Sequence, residues 1–249
     1  MLERLDTIRW AELHHAYGPA ADVPTQLRGL VASDRKTRDK ALWELFGNIW
    51  HQGTVYEATA HAVPFLWEIL IHTADCDPVG IAHLIGQIAC GGGYRDADDP
   101  RNRWEDWTRA ARAAVRQGLA AAVPLLTSED PTLRVMTVHI FTCFPEDAVQ
   151  NLAYVRTGLA NEKTAARRAG FGIALALLGE VHPEAFATET PTDLPLPRLM
   201  DFAIRASQGK MHPDYARQFI VELAKDKVRL PTIQDWLDDR EFWGEEDEP

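Results

Sequence analysis

Apolar residues along this chain return every three or four positions, a spacing that predicts helices. Between Trp107 and Leu126 the apolar set is Trp107, Ala110, Ala111, Ala114, Val115, Leu119, Ala122, Val123 and Leu126, with Arg109, Arg112 and Arg116 on the other face. From Pro213 to Ala224, a stripe of Ala216, Phe219, Ile220, Leu223 and Ala224 opposes Arg217, Gln218 and Glu222. Both segments read as amphipathic helices with one buried face. Strands are not expected, because the chain lacks sustained alternation of β-branched and polar residues and lacks an Asn-Gly turn. Helix starts are punctuated. Asp77-Pro78 and Asp130-Pro131 each offer a capping carboxylate and then a proline where its missing N–H does no harm. Thr54 to Glu57 has the form of a capping box.

Internal similarity sharpens this picture. Ala58 to Leu66 and Gly118 to Leu126 align without gaps, sharing Ala60/Ala120, Ala62/Ala122, Val63/Val123, Pro64/Pro124 and Leu66/Leu126. Asp22-Val23-Pro24 is a shorter copy, its proline 40 residues before Pro64. Downstream of two of these prolines stand Ser33-Asp34 with Arg38 and Ser128-Glu129-Asp130 with Arg134. Each leads into a second apolar stretch (Ala41, Leu42, Leu45; Leu133, Met136, Ile140). A bent, proline-bearing helix, a turn with Asp and a second helix with an early Arg, at a period near 40, together resemble HEAT repeats. The resemblance runs from about Asp22 to Ala224. It implies an all-α, right-handed solenoid of about five helical hairpins, with Asp and Arg laddering between units. An N-terminal cap helix near Leu5 to Tyr17 would open a body spanning residues 1–234. A loop at 90–103 would interrupt that body, and an acidic-aromatic tail at 235–249 would follow it. The stretches around Glu146 to Leu178 and Leu196 to Ala224 lack the Val-Pro pair, and an irregular all-α bundle is the competing architecture.

Composition then limits the function. The 249 residues are 46% hydrophobic, enough for a core, and 26 basic against 37 acidic side chains give a net charge of −11. That balance argues against a general nucleic-acid binder. Eight of the acids and a single arginine lie in residues 235–249, so the body is only mildly acidic. The longest apolar stretch, Ala169 to Gly179, falls well short of the roughly 20 residues of a membrane crossing. Met1 to Asp6 carries charges where a signal peptide needs an apolar run. Cys76, Cys90 and Cys143 are too few and too scattered for a disulfide framework or a zinc cage, which points to a reducing cytoplasm.

Gly47 to Tyr56 is the most distinctive segment. Trp50, His51, Gln52 and Tyr56 there combine a stacking surface, a titratable ring and an amide, and they are the first candidates for partner contact. A structural reading stands beside this one: Trp50 plugs a junction between units while His51 and Gln52 satisfy the turn. Tyr94, Arg95 and Trp104 at the insertion and Trp236, Phe242 and Trp243 in the tail are the next candidates. No metal site is expected, since the nine histidines contain no His-x-x-x-His pair. Neither a cofactor nor a catalytic residue is suggested by local sequence. Helical solenoids usually hold other macromolecules. The expected function is therefore a non-enzymatic protein-binding scaffold, in its most specific form an immunity or antitoxin-type protein for a basic toxin, with nucleic acid disfavoured as a partner and no membrane contact expected. The alternative is an enzyme that processes nucleic acid. HEAT-like DNA glycosylases are similar in length and tryptophan content, and Trp104, Asp106 and Trp107 would supply their acidic-aromatic cluster.

Overall fold

The computed structural model describes residues 2–92, 104–225 and 227–238. The fold is all-α, with eleven helices among the described residues and no clear repeat pattern. Two compact units divide the chain, residues 1–122 and 123–249.

The first unit holds α1 (Val23–Gly29), α2 (Arg35–Asn48), α3 (Glu57–His72), α4 (Pro78–Ala89) and α5 (Trp104–Ala122). Capping carboxylates start α2 and α4: Asp34 accepts from the Thr37 N–H at 2.8 Å, and Asp77 from that of Gly80 at 2.9 Å. The capping box expected at Thr54 is displaced, because Thr54 is occupied in a strand and α3 begins after Tyr56. Thr59 takes over, its hydroxyl accepting from the Tyr56 N–H at 2.8 Å and donating to the Ile49 carbonyl at 2.5 Å. Helix α3 packs on α5, and α4 lies against both. The α3–α5 crossing is close: a Cβ at Gly118 would stand 2.2 Å from Trp67 Nε1, which donates to the Val115 carbonyl at 3.2 Å.

Two expectations for this unit are corrected. The segment read as a cap helix is two short 3-10 turns, Leu5–Thr7 and Trp10–Glu12, followed by a hairpin of β1 (His14–His15) and β2 (Gly18–Pro19). A second hairpin pairs β3 (Trp50–His51) with β4 (Thr54–Val55). Strands of two residues are too short to show alternation. Gln52 and Gly53 make the β3–β4 turn with φ of +49° and +88°, the positive pair of a type I′ turn, with Gln where Asn or Gly is usual. Gly91 and Gly92 dock against this hairpin. Gly92 donates to the Gly53 carbonyl at 2.7 Å and accepts from Val55 at 3.0 Å, and a Cβ on Gly91 would meet Val55 at 2.5 Å.

The second unit holds α6 (Pro131–Thr142), α7 (Ala148–Leu159), α8 (Ala165–Leu177), α9 (Leu196–Ser207), α10 (Pro213–Ala224) and α11 (Leu230–Asp238). Asp130 caps α6 as its sequence implies, accepting from Thr132 at 2.8 Å and Leu133 at 3.2 Å. Helices α6, α8 and α10 pack in mutual contact, with α7 against α8 and α9 against α8 and α10. Phe202 and Phe219 stack with centroids 4.3 Å apart in this core. No helix among the described residues is long and apolar enough to cross a membrane.

Candidate functional site

Helix α2 buries Ala41, Leu42 and Leu45, which leaves Trp43 on its outer side at 79% exposure. Beside it opens a cleft of about 670 Å³, within the range of small-molecule sites. Asp39, Leu42, Trp43, Phe46 and Gly47 of α2 form one wall, and the β3–β4 hairpin adds Trp50, His51 and Gln52. Tyr17, Asp77 and His83 complete the lining, in which no Lys or Arg stands among the described residues.

The aromatic walls are ordered by ring contacts. Phe46 meets Trp50 edge-on with centroids 6.0 Å apart and tilts against His83 at 5.5 Å. Tyr17, 69% exposed, meets the His51 ring edge-on at 5.5 Å, its hydroxyl 3.4 Å from His51 Nδ1. Gln87 Nε2 lies 3.3 Å from His83 Nε2 and holds that ring against α4. Of the two carboxylates, Asp39 faces Arg35 at 3.3 Å across an exposed turn of helix, and Asp77 caps α4. The indole N–H of Trp50 is buried and finds no acceptor among the described residues. Such a group costs about 1–3 kcal/mol until an acceptor meets it.

The structure therefore brings Trp50, His51 and Gln52 together in one cleft. Tyr56 is half-buried at the start of α3 and is not part of the lining; burial, with Tyr17 adding to it, pushes its phenol above the ordinary value. Trp236 packs edge-on against Phe219 at 5.2 Å in the second unit. Tyr94, Arg95, Phe242 and Trp243 lie outside the described residues, as does the side chain of Trp104. Asp106 is tied to Arg109 at 3.2 Å along α5. Residues that sequence reasoning missed are Tyr17, Asp39, Trp43, Phe46, Asp77 and His83. The available signal was Trp43, a large aromatic on the polar side of an otherwise ordinary helix.

A second group of side chains overturns several expectations. Cys90, His139 and Cys143 can each offer a ligand atom within 4.8 Å of the others, His139 and Cys143 being buried. Cys90 and Cys143 are disulfide-bonded, and Cys76 is a free thiol. The cysteines are thus neither scattered nor all reduced. Two thiolates and an imidazole are donor chemistry shared with zinc centres, including those of enzymes that act on nucleobases; a sulfur held in a disulfide has to be reduced before it ligates. This cluster contradicts the reading of a non-enzymatic protein-binding scaffold of the immunity type and the reading of nucleic acid as a disfavoured partner, and it favours the enzymatic alternative. The missed signal was His139-x-x-x-Cys143, which a search confined to His–His pairs passes over.

No protein-family model, curated protein or solved structure matches this chain.

Proposed function

We propose that the protein is an enzyme acting on nucleic acid that draws an unpaired base into the cleft of its first unit. The observation that carries this reading is the aromatic cleft itself, with two imidazoles and two carboxylates around it. A base stacks on Trp43 or Phe46, an interaction worth about 1–3 kcal/mol per base. His51 or His83 supplies a proton to the leaving nitrogen as water attacks the sugar carbon and the base departs, and Asp39 or Asp77 accepts the proton that the attacking water gives up.

The finer architectural reading, a HEAT-like solenoid, belongs with this proposal. Four helix pairs packed within their units, α1/α2, α3/α4, α7/α8 and α9/α10, support it. So does an atomic detail shared by the two sequence copies. Arg38 donates to the carbonyls of Ala32 and Ser33, and Arg134 donates to those of Ser128 and Glu129, six and five residues back in each case. A cytoplasmic location is likewise a proposal.

The test is release of bases from oligonucleotides, single- and double-stranded, carrying alkylated or deaminated bases, scored as alkali-labile sites at roughly 50 mM salt. The wild-type protein should generate such sites, and Trp43→Ala and His51→Ala should each slow it at least about tenfold. Absence of base release, together with unchanged tryptophan fluorescence on titration with nucleosides, would refute the reading.

A further inference from the structure

Resting on the cleft as a base site, we propose that the exposed face of α2 is a phosphate track that leads a single strand of nucleic acid to it. The first turn of α2 reads Arg35-Lys36-Thr37-Arg38, with Lys40 following and no acidic residue among its first positions. The positive end of a helix disfavours cations there. The Asp34 cap, held below its ordinary pKa by hydrogen bonds from Thr37, and the exposed pairs of Arg35 with Asp39 and Lys40 with Glu44 offset them in part, which leaves Lys36. Stability alone would not select this arrangement; an anionic partner would.

The placement on the helix is specific. At about 100° per residue, Lys36, Lys40, Trp43 and Gly47 fall within one quarter of the helical wheel, and Asp39 and Phe46 follow on the side of the cleft. Lys36 and Lys40 are one turn apart, about 6 Å along the axis, and Trp43 is the next turn. Lys36 is exposed, the Lys40 side chain is 74% exposed, and the Trp43 ring stands clear of the core. Lys40 approaches Glu44 at 3.5 Å and Arg35 approaches Asp39 at 3.3 Å. Solvent-exposed pairs of this kind contribute little and exchange readily for a phosphate. Arg38 is not part of the track, since its guanidinium is committed to the Ala32 and Ser33 carbonyls. Two ammonium groups followed by a stacking ring match a sugar-phosphate backbone whose next base is unpaired. A duplex would hold that base in its own stack, so the track fits a single strand.

The experiment follows binding of an oligothymidylate of about 15 nucleotides across a salt series. Each phosphate neutralised contributes about −0.7 to the slope of log K against log salt. The Lys36→Ala, Lys40→Ala double variant should therefore lose about 1.4 from the wild-type slope and bind about tenfold more weakly at low salt. Trp43→Phe should keep the wild-type slope. Far-UV circular dichroism confirms that these surface variants fold. An unchanged slope in the double variant, or no binding of the oligomer at roughly 50 mM salt, overturns the track. A strand lacking bases separates this inference from the enzymatic one. If it binds with the same lysine-dependent slope while nucleosides fail to enter the cleft, the track stands and the base-site reading falls.

Discussion

Replacing Glu162 by alanine should destabilise the second unit more than any exposed substitution in it. Arg134, at the start of α6, forms two parallel hydrogen bonds to the Glu162 carboxylate, Nε to Oε1 at 2.5 Å and Nη2 to Oε2 at 3.0 Å. The pair is withdrawn from water, with 12% of the Arg134 side chain and 1% of the Glu162 side chain exposed. The carboxylate raises the guanidinium pKa above its ordinary value, so the favourable ionisation is present throughout neutral pH and is lost only at strongly alkaline pH. Breaking a buried pair costs about 3–5 kcal/mol, because the remaining charge is left uncompensated. Arg134 keeps its 2.6 Å bond to the Ser128 carbonyl, which places Glu162→Ala near the lower end, about 3 kcal/mol. Glu162→Gln preserves the volume and one acceptor and should cost about 1.5 kcal/mol. Urea unfolding measures both: with a slope of about 1–3 kcal/mol per molar, the alanine variant's midpoint should fall by at least about 1 M. Replacing both partners, Arg134→Met with Glu162→Leu, should recover most of the loss, since no charge then stays buried. A midpoint within experimental error of wild type for Glu162→Ala would refute the argument. So would a double variant no more stable than the single one.

Gly118→Ala should cost about 1–3 kcal/mol, because its methyl group would press into the Trp67 indole where α3 crosses α5; a melting temperature equal to wild type would show that the crossing relaxes freely. Glu222 should contribute to acid sensitivity. Burial pushes its pKa up, but hydrogen bonds from the Lys225 ammonium and, at 3.1 Å, the Arg229 N–H outweigh that and hold it below the ordinary value. A lowered folded-state pKa stabilises above the unfolded value of about 4.3 and loses that stability as pH falls through the folded one, so Glu222→Gln should flatten the acid limb of a melting-temperature profile. An identical acid limb would remove Glu222 from the account. Cys76 should react slowly with a thiol reagent at neutral pH, because burial and then the neighbouring Asp77 raise its pKa. One thiol should titrate in the native protein and three after reduction and unfolding; three before reduction would exclude the disulfide at Cys90 and Cys143.

Features that depend on a few neighbouring residues were readable from sequence. Asp77 and Asp130 cap helices because carboxylate, proline and free backbone donors lie within one turn of each other. Arg38 and Arg134 look alike in sequence and act alike in structure, because each closes a ring of six residues on its own turn. The β3–β4 hairpin was not readable: two-residue strands carry no period, and Gln52 stands where the turn usually announces itself with Asn or Gly. Gly91 and Gly92 read as a loose run, yet they hold that hairpin against the end of α4, a contact that no local pattern encodes.

The cleft shows where the boundary falls. Trp50, His51 and Gln52 were found because they crowd into one short segment, whereas Asp77 and His83 enter only once α4 packs beside α2. Trp43 belongs to neither class. Its position follows from the helical wheel alone, since Ala41, Leu42 and Leu45 define the buried side of α2 and leave Trp43 opposite, between Lys40 and Gly47. Exposing a ring of that size gives up the roughly 25 cal/mol per Å² that burial would return, and folding offers no compensation for it. A large exposed ring on α2, with Lys36 and Lys40 on the turns before it, goes against the burial preference of aromatics and against the helix dipole together. Agreement across levels is what folding alone would select, so a joint violation is what the proposed track rests on. Both features are written in the sequence of α2, where Trp43, Lys36 and Lys40 share one side of the helical wheel, and together they favour that face over the conspicuous aromatics of the tail.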